Sequence, residues 1–280
     1  IRLCLSDHLE FISVAKKQLK IQDLLEVSQK VVGHGSIGGK SAGLILSRYI
    51  LQHSEDEEIR EAATIKDSYF VGADEFQTFL ATNNMLDLYD LRYLPDQVRW
   101  DRFTFIHQRF LDGTFSANIV DALEQIIREI DGRPFIVRSS SLLEDSYQAS
   151  IIGIYESIVV PNQGTREEGL LQLQNAIREL YSQVFNPQAI QYREKKKFDD
   201  YPERMGILIQ IIRGHQIGNY YFPDLSGFAV SKSVSRWSPN EPIGGIDAGY
   251  TRFVVGLGSH ALHRHSSDCP AFISLSESDG

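Results

Sequence analysis

The segment 31–51, VVGHGSIGGKSAGLILSRYIL, joins a glycine-rich loop to an apolar, periodic stretch. Apolar side chains recur after the loop at helical spacing, at Ala42, Ile45, Leu46 and Tyr49. This period predicts a helix that begins near Ser41, directly after the glycines. Backbone N–H groups at a helix start bind anions, and Lys40 adds a positive charge at the same place. The segment therefore indicates a phosphate-binding site at the start of a helix.

The loop does not match a P-loop, whose pattern is G-x-x-x-x-G-K-[ST]. Counted back from Gly39, the first glycine of that pattern would stand at position 34, which is His34. The preceding LLEVSQKVV is also a poor match to a buried parallel strand. Two interpretations stay open: a glycine turn with an exposed lysine, and a different phosphate site in which a second cation meets Lys40.

Composition excludes several classes of protein. The chain has 280 residues, of which 42% are hydrophobic and 23% charged, as in ordinary globular domains. Its net charge of −9 argues against a general nucleic-acid or membrane-surface binder, because no overall positive field attracts polyphosphate. No apolar run has the length of a membrane-spanning helix. Two cysteines without a C-x-x-C spacing favour a reducing, cytoplasmic compartment.

The rest of the pattern predicts an α+β protein. Helical periodicity covers 9–30, 118–131 and 166–185, whereas strands are predicted at 135–137 and within MGILIQIIRG, SGFAVSKS and RFVVGLG. We expect leading helices over 1–30, helix-rich subdomains over 31–204 and a strand-rich subdomain over 205–280. The polar stretch REKKKFDDYPER is typical of a linker or hinge. A start at Ile and an end at ESDG suggest a fragment of a longer protein.

Arg138, in FIVRSSSLLEDS (135–146), is the best candidate for the second cation. An apolar strand that ends at an arginine fixes the direction of its side chain, and the planar guanidinium suits bidentate binding of an oxyanion. An ion pair of Arg138 with Glu144 or Asp145, which would fix the turn, is the alternative.

Several segments occur in the same order as in a known family: IGGKSAGL, SYFVGADEF, FIVRSSSLLEDS, GIYESIVVPNQG and MGILIQII…SGFAVS…RFVVGLG. Over residues 31–265 the chain resembles the N-terminal nucleotide-binding domain of pyruvate phosphate dikinase and phosphoenolpyruvate synthase, the PEP/pyruvate-binding domain. The resemblance implies an ATP-grasp-like fold, with two or three subdomains around a nucleotide cleft, and ATP as its ligand.

The resemblance also implies the site residues. Lys40 and Arg138 would bind ATP phosphates and take part in catalysis. The implied nucleotide site further includes Gly38, Gly39, Ser139, Glu144, Gly153, Glu156, Gln210, Arg252 and His263. In the family, phosphate passes from ATP to a histidine on a separate domain, in the same or another chain, and then to pyruvate on a barrel domain. Pyruvate and phosphoenolpyruvate would therefore be reached through domains missing here.

The segment GLGSHALHR departs from the family pattern. Ser259 stands where a glutamate is expected, and His263 where a glutamine is expected. Mg²⁺ prefers oxygen ligands, with a carboxylate near the phosphates as the usual arrangement. The replacements therefore weaken the expectation of Mg²⁺ and of catalysis more than that of ATP, and Arg252 is a candidate for part of the missing charge neutralisation.

Three functions stay open from the sequence. The first is a phosphotransferase domain that binds ATP, and the second is a regulatory nucleotide- or metabolite-binding module that has lost its magnesium-binding carboxylates. The third is a purely structural domain in which Arg138 pairs with Glu144. A transition-metal site at His260, His263 and His265 is disfavoured, because no cysteine or second ligand-bearing helix accompanies these histidines.

Overall fold

The computed structural model describes residues 1–62, 68–143, 154–198, 202–230, 249–256 and 271–274. The chain divides into two compact units, Ile1–Ile211 and Ile212–Gly280. Across the described ranges, no helix combines the length and the apolar character needed to cross a membrane.

The first unit contains helices and one mixed sheet. Its α-helices are α1 (Leu9–Gln18), α2 (Ile21–Ser28), α3 (Gly39–Gln52), α4 (Glu57–Ala62), α5 (Asp74–Thr82), α6 (Asp96–Leu111), α7 (Ala117–Ile130), α8 (Arg166–Ser182) and α9 (Pro187–Lys195). Short 3₁₀ helices span Leu86–Tyr93 and Gln183–Phe185. The strands are β1 (Val31–Val32), β2 (Ser68–Val71), β3 (Phe135–Ser141), β4 (Ser157–Val160) and β5 (Met205–Ile211). Their order in the sheet is β1-β2-β5-β3-β4; β1 and β2 are parallel, and the other neighbours are antiparallel.

Strand β5 carries apolar side chains on both of its faces. Alternate side chains of a strand point to opposite faces. Ile207 and Ile209 lie in the large core cluster with residues of α5, α7 and α8, whereas Leu208 lies in a smaller cluster with Ala42 and Ile45 of α3. A strand covered on both faces reads as a continuous apolar run, as MGILIQI does. Helix α3 therefore packs on the second face of the sheet, which places its first turn beside β3.

The predicted elements are largely present in the first unit. The helices expected over 9–30, 118–131 and 166–185 are confirmed, with α8 ending in a 3₁₀ turn. Two features differ from the expectation. Strand β3 runs on to Ser141, because its serines pair with β5, and β5 lies between β2 and β3 in this sheet although we expected it to open a C-terminal subdomain. The polar stretch from Arg193 begins inside α9.

The described part of the second unit is built of strands. A hairpin joins β6 (Gly214–Ile217) to β7 (Tyr220–Pro223). A separate antiparallel sheet has the order β10-β9-β8, from β8 (Leu225–Val230), β9 (Tyr250–Val255) and β10 (Ala271–Ser274).

Tyr49 connects α3 to α2. Its ionisation makes the free energy of unfolding depend on pH in the alkaline range. Burial, followed by the hydrogen bond that the hydroxyl donates to Glu26 at 3.1 Å, raises the pKa of Tyr49 to about 12. Because the folded protein holds this proton more tightly than the unfolded chain, the stabilisation is complete below pH 10 and is lost as the pH rises through 12. We expect Tyr49→Phe to reduce the fall in urea midpoint between about pH 9 and about pH 11.5.

The control for this change is Tyr93→Phe, because Tyr93 is 71% exposed. Its alkaline loss of stability should equal that of the wild type. An unchanged alkaline loss in Tyr49→Phe would show that another group is responsible.

Candidate functional site

The start of α3 is attached to the end of β3 through Gly38. This glycine has a φ of +80°, and a Cβ added to it would lie 1.7 Å from the Ser140 carbonyl oxygen. At the third residue of the helix, the Ser41 N–H donates to Ser140 Oγ at 3.0 Å. The glycine therefore permits a close approach of two backbones, and the serine satisfies one of the N–H groups that a helix start leaves unpaired.

The earlier glycines of the loop pack against the start of α5. A Cβ at Gly33 would collide with the Glu75 side chain, and one at Gly35 with Asp74, at 2.2 and 2.6 Å. The buried Glu75 carboxylate also accepts a hydrogen bond from the His34 N–H, at 3.2 Å. The front of the loop is thus held by tertiary contacts, and its glycines serve packing there.

Lys40 reaches the strand that carries Arg138. Its ammonium Nζ donates to Ser139 Oγ at 3.1 Å, and Ser139 directly follows Arg138 in β3. Lys40 is half-buried, while Ser139 is fully buried. Lys40, which the sequence separates from Arg138 by 98 positions, therefore contacts the strand residue next to Arg138, although successive side chains of a strand point to opposite faces.

Arg138 lies between its neighbour strands β4 and β5, opposite Ser157 and Leu208. Its Nη1 donates to Oε1 of Gln210 at 3.3 Å, across a diagonal of the β3–β5 pair. Its Nε is buried and has no hydrogen-bond partner within the part of the chain that the structure describes. A guanidinium carries five N–H donors, so this side chain retains donors for an anion.

The comparison with protein families fits this geometry. The model of the family described as pyruvate phosphate dikinase, AMP/ATP-binding domain, matches residues 34–262. The chain belongs to this family. The expected membership, the ATP-grasp-like α+β fold and the ATP-binding character are thereby confirmed. No curated protein matched the chain.

In this pyruvate phosphate dikinase-like domain, the other expected site residues are distributed as follows. Gly39 is the first residue of α3. Glu156 directly precedes β4; its side chain is exposed, and its N–H donates to Gln183 Oε1 at 2.7 Å. Arg252 belongs to the second unit, where it is buried on β9 opposite Phe228 and Phe272. The remaining expected positions lie outside the described residues: Glu144, Gly153, Ser259 and His263.

In the described ranges of the chain, no group of three or more His, Cys, Asp or Glu side chains could hold a metal ion such as Mg²⁺. The acidic residues beside the glycine loop have other partners. Asp74 Oδ1 accepts from Arg204 at 3.3 Å, and Glu75 binds the loop backbone.

No sequence pattern predicted the buried polar cluster around Glu203. The Glu203 side chain is 2% exposed and accepts hydrogen bonds from Ser141 Oγ at 2.6 Å and from the Tyr155 hydroxyl at 3.4 Å. Arg193 of α9 donates to the same tyrosine at 2.9 Å. One carboxylate thus connects the end of β3 with Tyr155, just before β4. Glu203 stands in a run of charged residues, which by itself resembles a solvated surface segment.

Proposed function

We propose that Lys40 and Arg138 form a two-cation clamp for the phosphates of ATP. The observation in support of this proposal is the hydrogen bond from Lys40 to Ser139, because Ser139 directly follows Arg138 in β3. Family membership supplies the ligand. Ser139, Gln210 and the Gly38–Gly39 backbone surround the clamp and are proposed to orient it.

The electrostatics of the clamp favour a localised anion. The chain as a whole carries a net charge of −9, so attraction of ATP must come from a few fixed cations. The two side chains are complementary: Arg138 provides a planar set of donors on a rigid strand, whereas Lys40 provides a point charge in the first turn of a helix. Charge-assisted hydrogen bonds of this kind are about twice as strong as neutral ones.

We further propose that the domain transfers phosphate from ATP to a histidine of a separate domain. Phosphoryl transfer depends mainly on positioning and on stabilisation of the charge that spreads over the phosphate oxygens. Fixed cations meet both needs. Glu144, Gly153, Glu156, Arg252 and His263 remain proposed contributors to the nucleotide site, with pyruvate or phosphoenolpyruvate reached through further domains.

A second candidate function is a regulatory nucleotide- or metabolite-binding module without turnover. The observation in its favour is the sequence GLGSHALHR, in which Ser259 replaces the expected glutamate. A hydroxyl gives Mg²⁺ a weaker ligand than a carboxylate does.

The test is a calorimetric titration of ATP into wild type, Lys40→Ala and Arg138→Ala, with and without Mg²⁺. We expect each substitution to weaken ATP binding at least about tenfold, because each removes a charge-assisted contact of roughly 1.5–3 kcal/mol. The matched controls are Lys16→Ala and Arg128→Ala, two exposed cations of α1 and α7, which should bind ATP as the wild type does.

Four outcomes decide between the proposals. If the wild type does not bind ATP, both candidate functions are ruled out. ATP binding that survives both clamp substitutions shows that the phosphates lie elsewhere. With ATP bound, labelled phosphate appearing on an added phosphohistidine domain supports the phosphotransferase, whereas Mg²⁺-independent binding without transfer supports the regulatory module.

A further inference from the structure

A cavity lies away from the clamp, between α2, α3 and β2. Its volume is about 160 Å³. On α3 it is bordered by Leu44, Ile45 and Arg48, which begin one helical turn after Lys40. Arg48 stands eight residues beyond Lys40, or about 12 Å along the helix at 1.5 Å per residue. The cavity is therefore separate from the proposed phosphate clamp, although it shares a helix with it.

One part of the cavity wall is apolar. Val27, Leu44, Ile45 and Phe70 line it, and all except Leu44 are buried. A cavity of about 150 Å³ lined by side chains of this kind accommodates benzene. The space thus suits a hydrocarbon body of about six carbon atoms.

The other part of the wall carries charge. Arg48 contacts the face of the Tyr49 ring at 5.4 Å, and its Nε is buried without a hydrogen-bond partner in the described residues. Lys30 adds a second positive charge, and Ser68 adds a hydroxyl. A buried donor without an acceptor is destabilising, and an anion bound in the cavity would satisfy it.

Glu26 limits the charge of the anion. Its carboxylate also lines the cavity and already accepts a hydrogen bond from Tyr49. Arg48 supplies the buried donor for the anion, and Glu26 lines the same cavity. Glu26 repels a phosphate dianion about twice as strongly as a single carboxylate, so the lining favours the carboxylate.

We propose that this cavity binds a small monocarboxylate whose apolar body is about the size of a benzene ring. Arg48 binds the carboxylate, and the side chains of Val27, Leu44 and Phe70 enclose the body. The proposal is independent of ATP binding, since it shares no residue with the clamp.

The probe for this site is benzoate, followed by methyl chemical shifts of Val27, Leu44 and Ile45 in the full chain. We expect saturable binding, with a dissociation constant on the order of 1 mM. Arg48→Met keeps the length of the side chain and removes the charge; it should weaken benzoate binding at least about tenfold. The matched control is Arg102→Met, an exposed arginine of α6, which should leave the affinity unchanged.

A second variant tests the apolar part. Leu44→Trp fills the cavity without a change of charge and should abolish the benzoate shifts. Benzamide, of the same shape but uncharged, should bind at least about tenfold more weakly than benzoate. The proposal is overturned if benzoate does not saturate wild type, if both variants bind it as wild type does, or if benzamide or inorganic phosphate binds equally well.

Discussion

Gly38→Ala is expected to destabilise the first unit by about 2–5 kcal/mol and to remove most ATP binding. A side chain at a φ of +80° costs roughly 1–2 kcal/mol, and forcing an extra carbon into a packed site adds about 1–3. The Cβ would lie 1.7 Å from the Ser140 carbonyl oxygen, which is backbone and cannot rotate away. The start of α3 must therefore move off β3, and Lys40 moves away from Ser139 with it.

The measurement is a thermal or urea unfolding curve, together with the ATP titration. Gly43→Ala provides the matched control, because Gly43 lies within α3 and a Cβ there meets nothing within 4 Å. Alanine is the better helix former, so this control should be neutral or more stable by about 0.5–1 kcal/mol. Equal stability and equal ATP affinity in the two variants would refute the close-approach role of Gly38.

Glu203→Ala is expected to cost about 3–5 kcal/mol of unfolding free energy, the range seen when one partner of a buried charged network is removed. The substitution removes the carboxylate that accepts from the buried Ser141 hydroxyl at 2.6 Å and from the Tyr155 hydroxyl, to which Arg193 also donates. Both ends of the network loosen, at β3 and at Tyr155.

Urea unfolding checks this result, with Glu124→Ala as the control. Glu124 forms an exposed ion pair with Arg128 on α7, one turn apart, and such pairs contribute roughly 0.3–0.5 kcal/mol. Glu203→Gln keeps an acceptor for Ser141, so its free energy of unfolding should lie between those of Glu203→Ala and Glu124→Ala. If Glu203→Ala is no less stable than Glu124→Ala, the polar cluster does not hold the end of β3.

Both substitutions act on the same strand end, from opposite sides. Gly38 lets α3 approach the Ser140 backbone, while Glu203 binds the next residue, Ser141. The proposed clamp depends on this support, because Arg138 and Ser139 precede these serines in β3. A phosphate site of this kind requires its cations to be held in place before the ligand arrives.

The serines of β3 show where prediction from the sequence ended. The apolar residues 135–137 predicted a strand, but Ser139, Ser140 and Ser141 read as the polar residues that follow one. They belong to the strand because β5 pairs with them, opposite Ile207, Gly206 and Met205. Their hydroxyls tolerate burial because acceptors and donors arrive from distant segments of the chain.

The glycines of the loop 33–39 show the same limit. The sequence predicted a glycine-rich anion site, since glycine is common wherever backbone approaches phosphate. Gly33 and Gly35 instead give space to Glu75 and Asp74, and Gly38 gives space to the Ser140 carbonyl. A glycine at a close approach leaves space for a neighbour, and the sequence cannot say whether a ligand or the protein itself fills that space.

By itself, the sequence predicted several of the helices, most strands and the family, and it singled out Lys40 and Arg138 as candidate cations, because periodicity and motif spacing are local properties of the chain. Only the tertiary structure decided that Lys40 meets Ser139, that Gln210 lies diagonal to Arg138, and that Glu203 is buried. These facts depend on the pairing of β3 with β5 and on the packing of α3 against the sheet. Such contacts join residues about 60 to 100 positions apart, and no local pattern encodes them.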